Sequence, residues 1–199
     1  MKRYQNLVFD VGGVLIGFRW QDMLADHGME PDYATYFGET LFSDPLWKEL
    51  DREVIPFEDT VRKYTEKYPE MAEDICWFFE NAEQMAVPRP AVWQELHRLK
   101  NSGYHLYLLS NYSSVLFEKH VGRADFHRDL DGRIVSFEVH TIKPDPDIYQ
   151  TLFSEYGLKP EECLYFDDLQ ENVDASRLQG MDARRVASEK ELLKLLEEL

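Results

Sequence analysis

The strongest constraint on the fold is a series of short apolar runs that stop on an acid or a small polar residue and alternate with helical patterns. Asn6–Asp10 (NLVFD) reads as a buried strand ending on Asp10 and followed by Gly12-Gly13. Tyr104–Ser110 reads as a second strand, Ile134–Val139 as a third, Cys163–Asp167 as a fourth and Ala183–Val186 as a short fifth. Between them, Val92, Leu96 and Leu99 recur at helical spacing with Gly103 as a stop. Ile148, Leu152 and Tyr156 repeat the pattern before Gly157, and Val173 and Leu178 before Gly180. Ser188 with Glu191 forms a capping box that opens a last helix, Ser188–Leu199. Strands that alternate with helices and are apolar throughout predict an α/β fold, a mostly parallel sheet covered on both faces.

One interval breaks the rhythm. About ninety residues separate the first strand from the second, far more than a crossover helix needs. Roughly residues 18–86 are rich in Trp, Tyr, Phe and charge, and Phe57–Tyr68 and Met71–Met85 have helical character. The economical arrangement is a helical module inserted between strands one and two.

Charge excludes some partners. The chain of 199 residues carries a formal net charge of −16, so a nucleic-acid partner is not expected, because such binding rests on clustered Lys and Arg. The same charge repels a small phosphorylated molecule unless its site is locally electropositive. The two cysteines, Cys76 and Cys163, form no Cys-x-x-Cys pair, so neither a disulfide framework nor a zinc knuckle is expected. Lys2 and Arg3 precede an apolar run, but Asp10 interrupts it too soon for a signal peptide. No stretch approaches the roughly 18 apolar residues of a membrane span. A cytoplasmic monomer or homodimer is the expectation.

Four polar clusters fall at the expected carboxyl ends of strands, where open α/β sheets bind ligands. They are Asp10 with Gly12-Gly13, Ser110-Asn111, Lys143, and Asp167-Asp168 with Asn172. Singly, each has an ordinary structural explanation: Asp turns the chain, Ser caps a helix, Lys sits in solvent. Together they make a chemistry. A carboxylate can attack a phosphoryl group to form an aspartyl-phosphate, and Mg²⁺ takes one or two carboxylates plus substrate oxygens and waters. Asp10 and Asp168 can supply those carboxylates, and the Gly12 carbonyl a third ligand. Ser110, the Asn111 backbone N–H and Lys143 then suffice as donors to the phosphoryl oxygens.

With these residues in view, the chain resembles the haloacid dehalogenase-like (HAD) hydrolases over nearly its whole length. NLVFDVGGVL looks like the family's first motif, YLLSNYS its second, IKPDPDIY its third and LYFDDLQENVDASRLQG its fourth. The resemblance implies a Rossmann-like parallel-sheet core of residues 1–17 and 87–199, with residues 18–86 as a helical cap over the site. It also implies Mg²⁺ as cofactor, Asp10 as nucleophile and a small phosphorylated metabolite as substrate. Within the family the chain is most similar to the helical-cap phosphatases, and among those to cytoplasmic bacterial sugar phosphatases.

One position departs from the family pattern. Most phosphatases of the family carry a second Asp two residues after the nucleophile, which protonates the leaving alcohol and then activates water. Here that residue is Gly12, and general acid–base catalysis is typically worth roughly 10²–10⁴-fold. A phosphatase lacking that acid suits a good leaving group, such as the anomeric oxygen of a sugar 1-phosphate, with Asp167 or a metal-bound water activating the hydrolytic water. Two alternatives are a metal-independent dehalogenase, opposed by the acid pair Asp167-Asp168, and a non-catalytic binding or regulatory protein. Arg19, Trp20 and Trp47 are candidate substrate contacts in the inserted module. The histidines show no metal-ligand spacing, and adjacent Trp77, Phe78 and Phe79 suit packing better than a cofactor site.

Overall fold

The structure is a computed structural model that describes residues 3–199; Lys2 lies outside them. The strands are β1 (Asn6–Phe9), β2 (Ile16–Phe18), β3 (Ala86–Pro88), β4 (His105–Ser110), β5 (Gly132–Val135), β6 (Cys163–Asp167) and β7 (Asp182–Arg185). Five of them form a parallel sheet in the order β5-β4-β1-β6-β7. From β1 the chain runs outward through β4 to β5, then crosses back to β6 and out to β7. The direction therefore reverses beside β1, and the crevice at the carboxyl ends of β1, β4 and β6 is the switch point at which such sheets bind ligands.

The helices are α1 (Trp20–Asp26), α2 (Pro31–Ser43), α3 (Pro45–Arg52), α4 (Phe57–Lys67), α5 (Ala72–Glu80), α6 (Pro90–Asn101), α7 (Ser114–Val121), α8 (Ser136–Val139), α9 (Pro146–Tyr156), α10 (Gln170–Leu178) and α11 (Glu189–Glu197). Strand alternation divides the core. Leu7, Phe9, Leu106, Leu108, Leu164 and Phe166 face one side of the sheet, against Leu96 and Leu99 of α6 and Leu192 and Leu196 of α11. Val8, Tyr107, Leu109 and Tyr165 face the other, against Ile148 and Leu152 of α9 and Val173 of α10. Each such side chain contributes roughly 1.5–3 kcal/mol when fully buried, so a single-residue slip in a strand would be strongly opposed.

The 90-residue interval contains α1–α5, bracketed by β2 and β3, which pair antiparallel and bring residues 16–18 against 86–88. That two-stranded ribbon is too short to show in the sequence pattern. The segment packs on its own aromatics, Phe37, Tyr64, Phe78 and Phe79, which merge with the first face of the sheet into one apolar cluster. Asp44 caps α3, accepting from Leu46 N–H at 2.9 Å, and also binds Lys67 Nζ at 2.5 Å. The adjacent aromatics divide as packing requires: Phe78 and Phe79 are buried, while Trp77 stacks on His27 at 3.5 Å.

Three boundaries differ from the sequence reading. The third strand ends at Val135, and Ser136–Val139 is a helical turn instead of more strand. There Ser136 Oγ accepts from Tyr112 N–H (2.8 Å) and donates to the Asp51 carbonyl (2.6 Å), which draws the chain out of the sheet. Met71–Met85 is not one helix: α5 stops at Glu80, where both the Asn81 N–H (3.0 Å) and its Nδ2 (2.8 Å) donate to the Trp77 carbonyl. The fifth strand starts one residue earlier than expected, at Asp182.

Candidate active site

Asp10 follows the last residue of β1, and its N–H is held by the Phe166 carbonyl at 2.9 Å. Beyond it the chain turns sharply, the Val11 carbonyl accepting from the N–H groups of Leu15 (2.9 Å) and Ile16 (3.0 Å). Arg89 Nη1 clamps this loop by donating to the carbonyls of Gly13 (2.6 Å) and Val14 (2.8 Å), and Trp93 Nε1 donates to Leu15 at 2.8 Å. Gly13 is required where it stands. Its φ is +70°, and a Cβ there would lie 2.5 Å from Asp168 Oδ2.

The clusters predicted from sequence converge. Ser110, at the end of β4, is fully buried, and its hydroxyl donates to Asp10 Oδ1 at 2.6 Å. It does not cap a helix; Ser113 does that for α7. Lys143 is buried, with Nζ 2.9 Å from Asp10 Oδ1, 2.8 Å from Asp167 Oδ2 and 2.9 Å from the Tyr165 hydroxyl. Asn111 turns its side chain toward the Lys143 backbone, donating to the carbonyl (2.9 Å) and accepting from the N–H (2.8 Å), so it fixes where the ammonium emerges. Asp167 also accepts from the Tyr165 hydroxyl, from Leu169 N–H at 2.8 Å and from Asn172 Nδ2 at 3.1 Å. With every lone pair engaged, Asp167 is poorly placed to activate water and well placed to hold Lys143.

Electrostatics separates the three acids. Burial pushes Asp10 upward, more than Lys143 and Ser110 pull it down. Burial also opposes ionisation of Asp167, yet Lys143 and the hydrogen bonds around it hold it below the usual carboxylate range. Lys143 loses hydration by burial, but the charges of Asp10 and Asp167 keep it protonated. Asp168 is pushed up to about 7 by burial and by the negative charges of Asp10 and Asp167, and it has no ion-pair partner among the described residues.

One ligand atom each from Asp10, Asp167 and Asp168 lies within 4.8 Å of the others. Lys143 is shared between Asp10 and Asp167, so Asp168 is left uncompensated, and a hard divalent cation between Asp10 and Asp168 would supply the missing charge. Asn172 Oδ1 is buried beside this cluster with no hydrogen-bond partner among the described residues, a free acceptor suited to a metal-bound water. The donor set, all oxygen, fits Mg²⁺ better than a softer metal.

The acids open into a pocket of about 290 Å³ whose walls include Phe18, Trp47, Asp51, Leu116, Ile142 and Leu169. Of the three substrate contacts proposed from sequence, the structure brings only Trp47 to this pocket. Arg19 is turned outward to Asp26 (2.5 Å), and Trp20 packs edge-on to Phe42 and against Gly38. Sequence reasoning missed Arg89, Trp93, Tyr165 and Asp51. Their roles come from contacts between distant segments and carry no local signal.

A parallel sheet with a buried carboxylate at its switch point, paired to a Lys and a Ser and adjoining further acids, defines an α/β protein with a candidate hydrolytic centre. The chain matches the family model of haloacid dehalogenase-like hydrolases over residues 4–178 and belongs to that family. It is similar to the sesquiterpene phosphatase astK of Aspergillus oryzae, 24% identical over 89% of this chain and 87% of that one. The fructose-1-phosphate phosphatase YqaB of Escherichia coli is 22% identical over 92% of this chain and 96% of its own. The HAD family enzyme bt-2542 of Bacteroides thetaiotaomicron, solved with magnesium and inorganic phosphate, shares the fold at a TM-score of 0.75 and 18% identity, covering 94% and 95% of the two chains. No helix is long and apolar enough to cross a membrane among the described residues.

Proposed function

We propose that this hydrolase is a Mg²⁺-dependent phosphatase acting on phosphate monoesters of small metabolites, sugar phosphates among them. The observation that carries this reading is the convergence of Lys143 and Ser110 on Asp10 beside the unpartnered Asp168. Two of the relatives named above are phosphatases, which supports the same reading.

In this reading α1–α5 act as a cap over the core. Asp10 and Asp168, with the Gly12 carbonyl, would hold the cation, which would neutralise the acids and lower the repulsion they exert on a phosphoryl group. Asp10 attacks phosphorus through the oxygen not held by Ser110, and the bond between phosphorus and the ester oxygen breaks as the alcohol leaves. Ser110, the Asn111 backbone and Lys143 donate to the phosphoryl oxygens as charge shifts onto them. Asp167 holds Lys143, and Asn172 and Tyr165 hold Asp167. Water then attacks the aspartyl-phosphate and releases phosphate.

The test is a phosphate-release screen over sugar phosphates, nucleotides and small phosphoesters with and without Mg²⁺, with Asp10→Asn as control. Release that requires Mg²⁺ and disappears in Asp10→Asn is expected. Hydrolysis of 2-haloacids that survives EDTA would replace this reading with a dehalogenase. A comparison of sugar 1-phosphates with 6-phosphates reads how far the leaving group matters.

A further inference from the structure

The family's second motif-one acid is absent at Gly12, and the structure shows what takes its place. A Cβ at residue 12 would lie 2.7 Å from the Phe18 ring, so the aromatic residue of β2 fills the volume that a longer side chain would need. A proton donor for the leaving group therefore has to come from another wall of the pocket.

The titratable and charged groups on that pocket are few. Asp10 and Lys143 are paired with each other, and Asp168 is taken by the cation proposed above. His120 of α7 is spent: its Nε2 donates to the Ala82 carbonyl at 2.9 Å, its Nδ1 meets the Tyr112 hydroxyl at 3.2 Å, and burial lowers it to about 4, so it is neutral. Lys48 of α3 and Glu171 of α10 are exposed. Asp51, near the end of α3, is the remaining acid, and its carboxyl is close enough to Lys143 and Asp10 to feel the charge of both.

Its position is built. The end of α3 is tied to the core by hydrogen bonds from three elements. The Asp51 carbonyl accepts from Ser136 Oγ at 2.6 Å, and the Arg52 carbonyl is 2.9 Å from His140 Nδ1. Arg52 Nη2 also reaches Asp145 Oδ2 at 3.2 Å, and the Glu53 carboxylate accepts from Ser114 N–H (2.5 Å) and Ser114 Oγ (2.7 Å). Glu53 itself sits at φ +48°, a left-handed residue that turns the chain away after the helix. A segment held this tightly at one end fixes where Asp51 meets the pocket that Asp10 also lines, as positioning of a catalytic group requires.

We infer that Asp51, delivered from the helical segment, is the general acid–base that the first motif lacks. The inference rests on the phosphatase reading above. As Asp10 Oδ forms its bond to phosphorus and the P–O bond to the leaving group breaks, Asp51 gives its proton to the leaving oxygen, and the alcohol departs neutral. The Asp51 carboxylate then takes a proton from the water that attacks the aspartyl-phosphate. The bond between phosphorus and Asp10 breaks, phosphate leaves, and Asp10 and protonated Asp51 are restored. Burial, with the nearby charge of Asp10 and against that of Lys143, pushes Asp51 up to about 8, so it holds a proton at neutral pH before the cation and substrate add their charges. A donor at this position also removes the need for an activated leaving group.

The experiment compares kcat/KM for p-nitrophenyl phosphate, whose phenolate leaves unaided, with that for a primary alkyl phosphate, in wild type and Asp51→Asn, at saturating Mg²⁺. Asp51→Asn is expected to lose roughly 10²–10³-fold on the alkyl ester and less than about 10-fold on the aryl ester. An equal loss on both, or no loss on either, overturns the inference. The wild type gives a second reading that needs no variant: kcat/KM for the alkyl ester should fall on the basic side of its pH profile, where Asp51 ionises, and the aryl ester should lack that limb. Identical profiles for the two esters also overturn it. Wild type active on both esters with no sensitivity to Asp51 removes this inference alone, whereas wild type inactive on both removes the phosphatase reading with it.

Discussion

At the scale of single residues, the site concentrates negative charge that the protein alone does not neutralise. Asp168, raised to about 7, and Asp51, raised to about 8, both prefer to be protonated in the folded chain more than in the unfolded one. A raised carboxylate pKa means that the folded state takes up protons as pH falls. The stability associated with each group is thus fully present below the unfolded value near 3.8 and is lost as pH rises through the folded value. The Tm of the metal-free protein should therefore drop by roughly 2–8 °C between pH 6 and pH 8.5, the shift that about 1–2 kcal/mol produces in a domain of this size. Mg²⁺ should restore most of it. Asp168→Asn should raise the metal-free Tm at pH 8 above wild type and abolish the response to Mg²⁺. Calorimetry at the two pH values, with and without Mg²⁺, checks both, and a wild-type Tm that is flat with pH would contradict the electrostatic account.

At the scale of elements, the role proposed for Asp51 depends on how one end of α3 is seated. Glu53 accepts two hydrogen bonds from the start of α7, and these orient the helix that carries Asp51 and Trp47 to the pocket. Glu53→Ala leaves the Ser114 N–H and hydroxyl without their partner and should cost about 1–3 kcal/mol in urea denaturation. Because it frees the end of α3, it should also lower kcat/KM for alkyl phosphates more than for p-nitrophenyl phosphate, the same signature as Asp51→Asn in milder form. Equal losses on both esters would mean that Glu53 supports the fold without orienting Asp51. Short apolar runs and helical spacing made most of the core strands and helices legible in the sequence, since both are local patterns. The ribbon of β2 and β3 was not legible, because strands of three residues show no period and become strands only by pairing across about seventy residues of chain.

At the scale of the whole molecule, the net charge of −16 acts in opposite directions on the two small partners proposed for the site. The long-range field attracts Mg²⁺ and repels a phosphate dianion, while Lys143 and the cation act only at short range. Raising ionic strength from 0.01 M to 0.15 M shortens the Debye length from about 30 Å to about 8 Å. Titration calorimetry should therefore show Mg²⁺ binding weaken, by several-fold, over that range, while product phosphate bound to the Mg²⁺-loaded protein weakens much less or tightens. Parallel weakening of both would assign the salt effect to the site itself and not to the overall field.

The sequence by itself determined the α/β class, the carboxyl ends of β4 and β6, and the identity of Asp10, Ser110, Lys143 and Asp168 as residues that meet at one edge of the sheet. It could do so because strands are read from local pattern and their carboxyl ends gather at one edge by topology alone. It also showed that position 12 carries no acid. Only the tertiary structure decided why, by setting the Phe18 ring in that space, and only it brought Asp51 to the wall of the same pocket. The bonds that seat Asp51 span 61 residues from Glu53 to Ser114 and 85 from Asp51 to Ser136. Such contacts follow from how the helical segment packs on the sheet, and no periodicity or spacing along the chain encodes them.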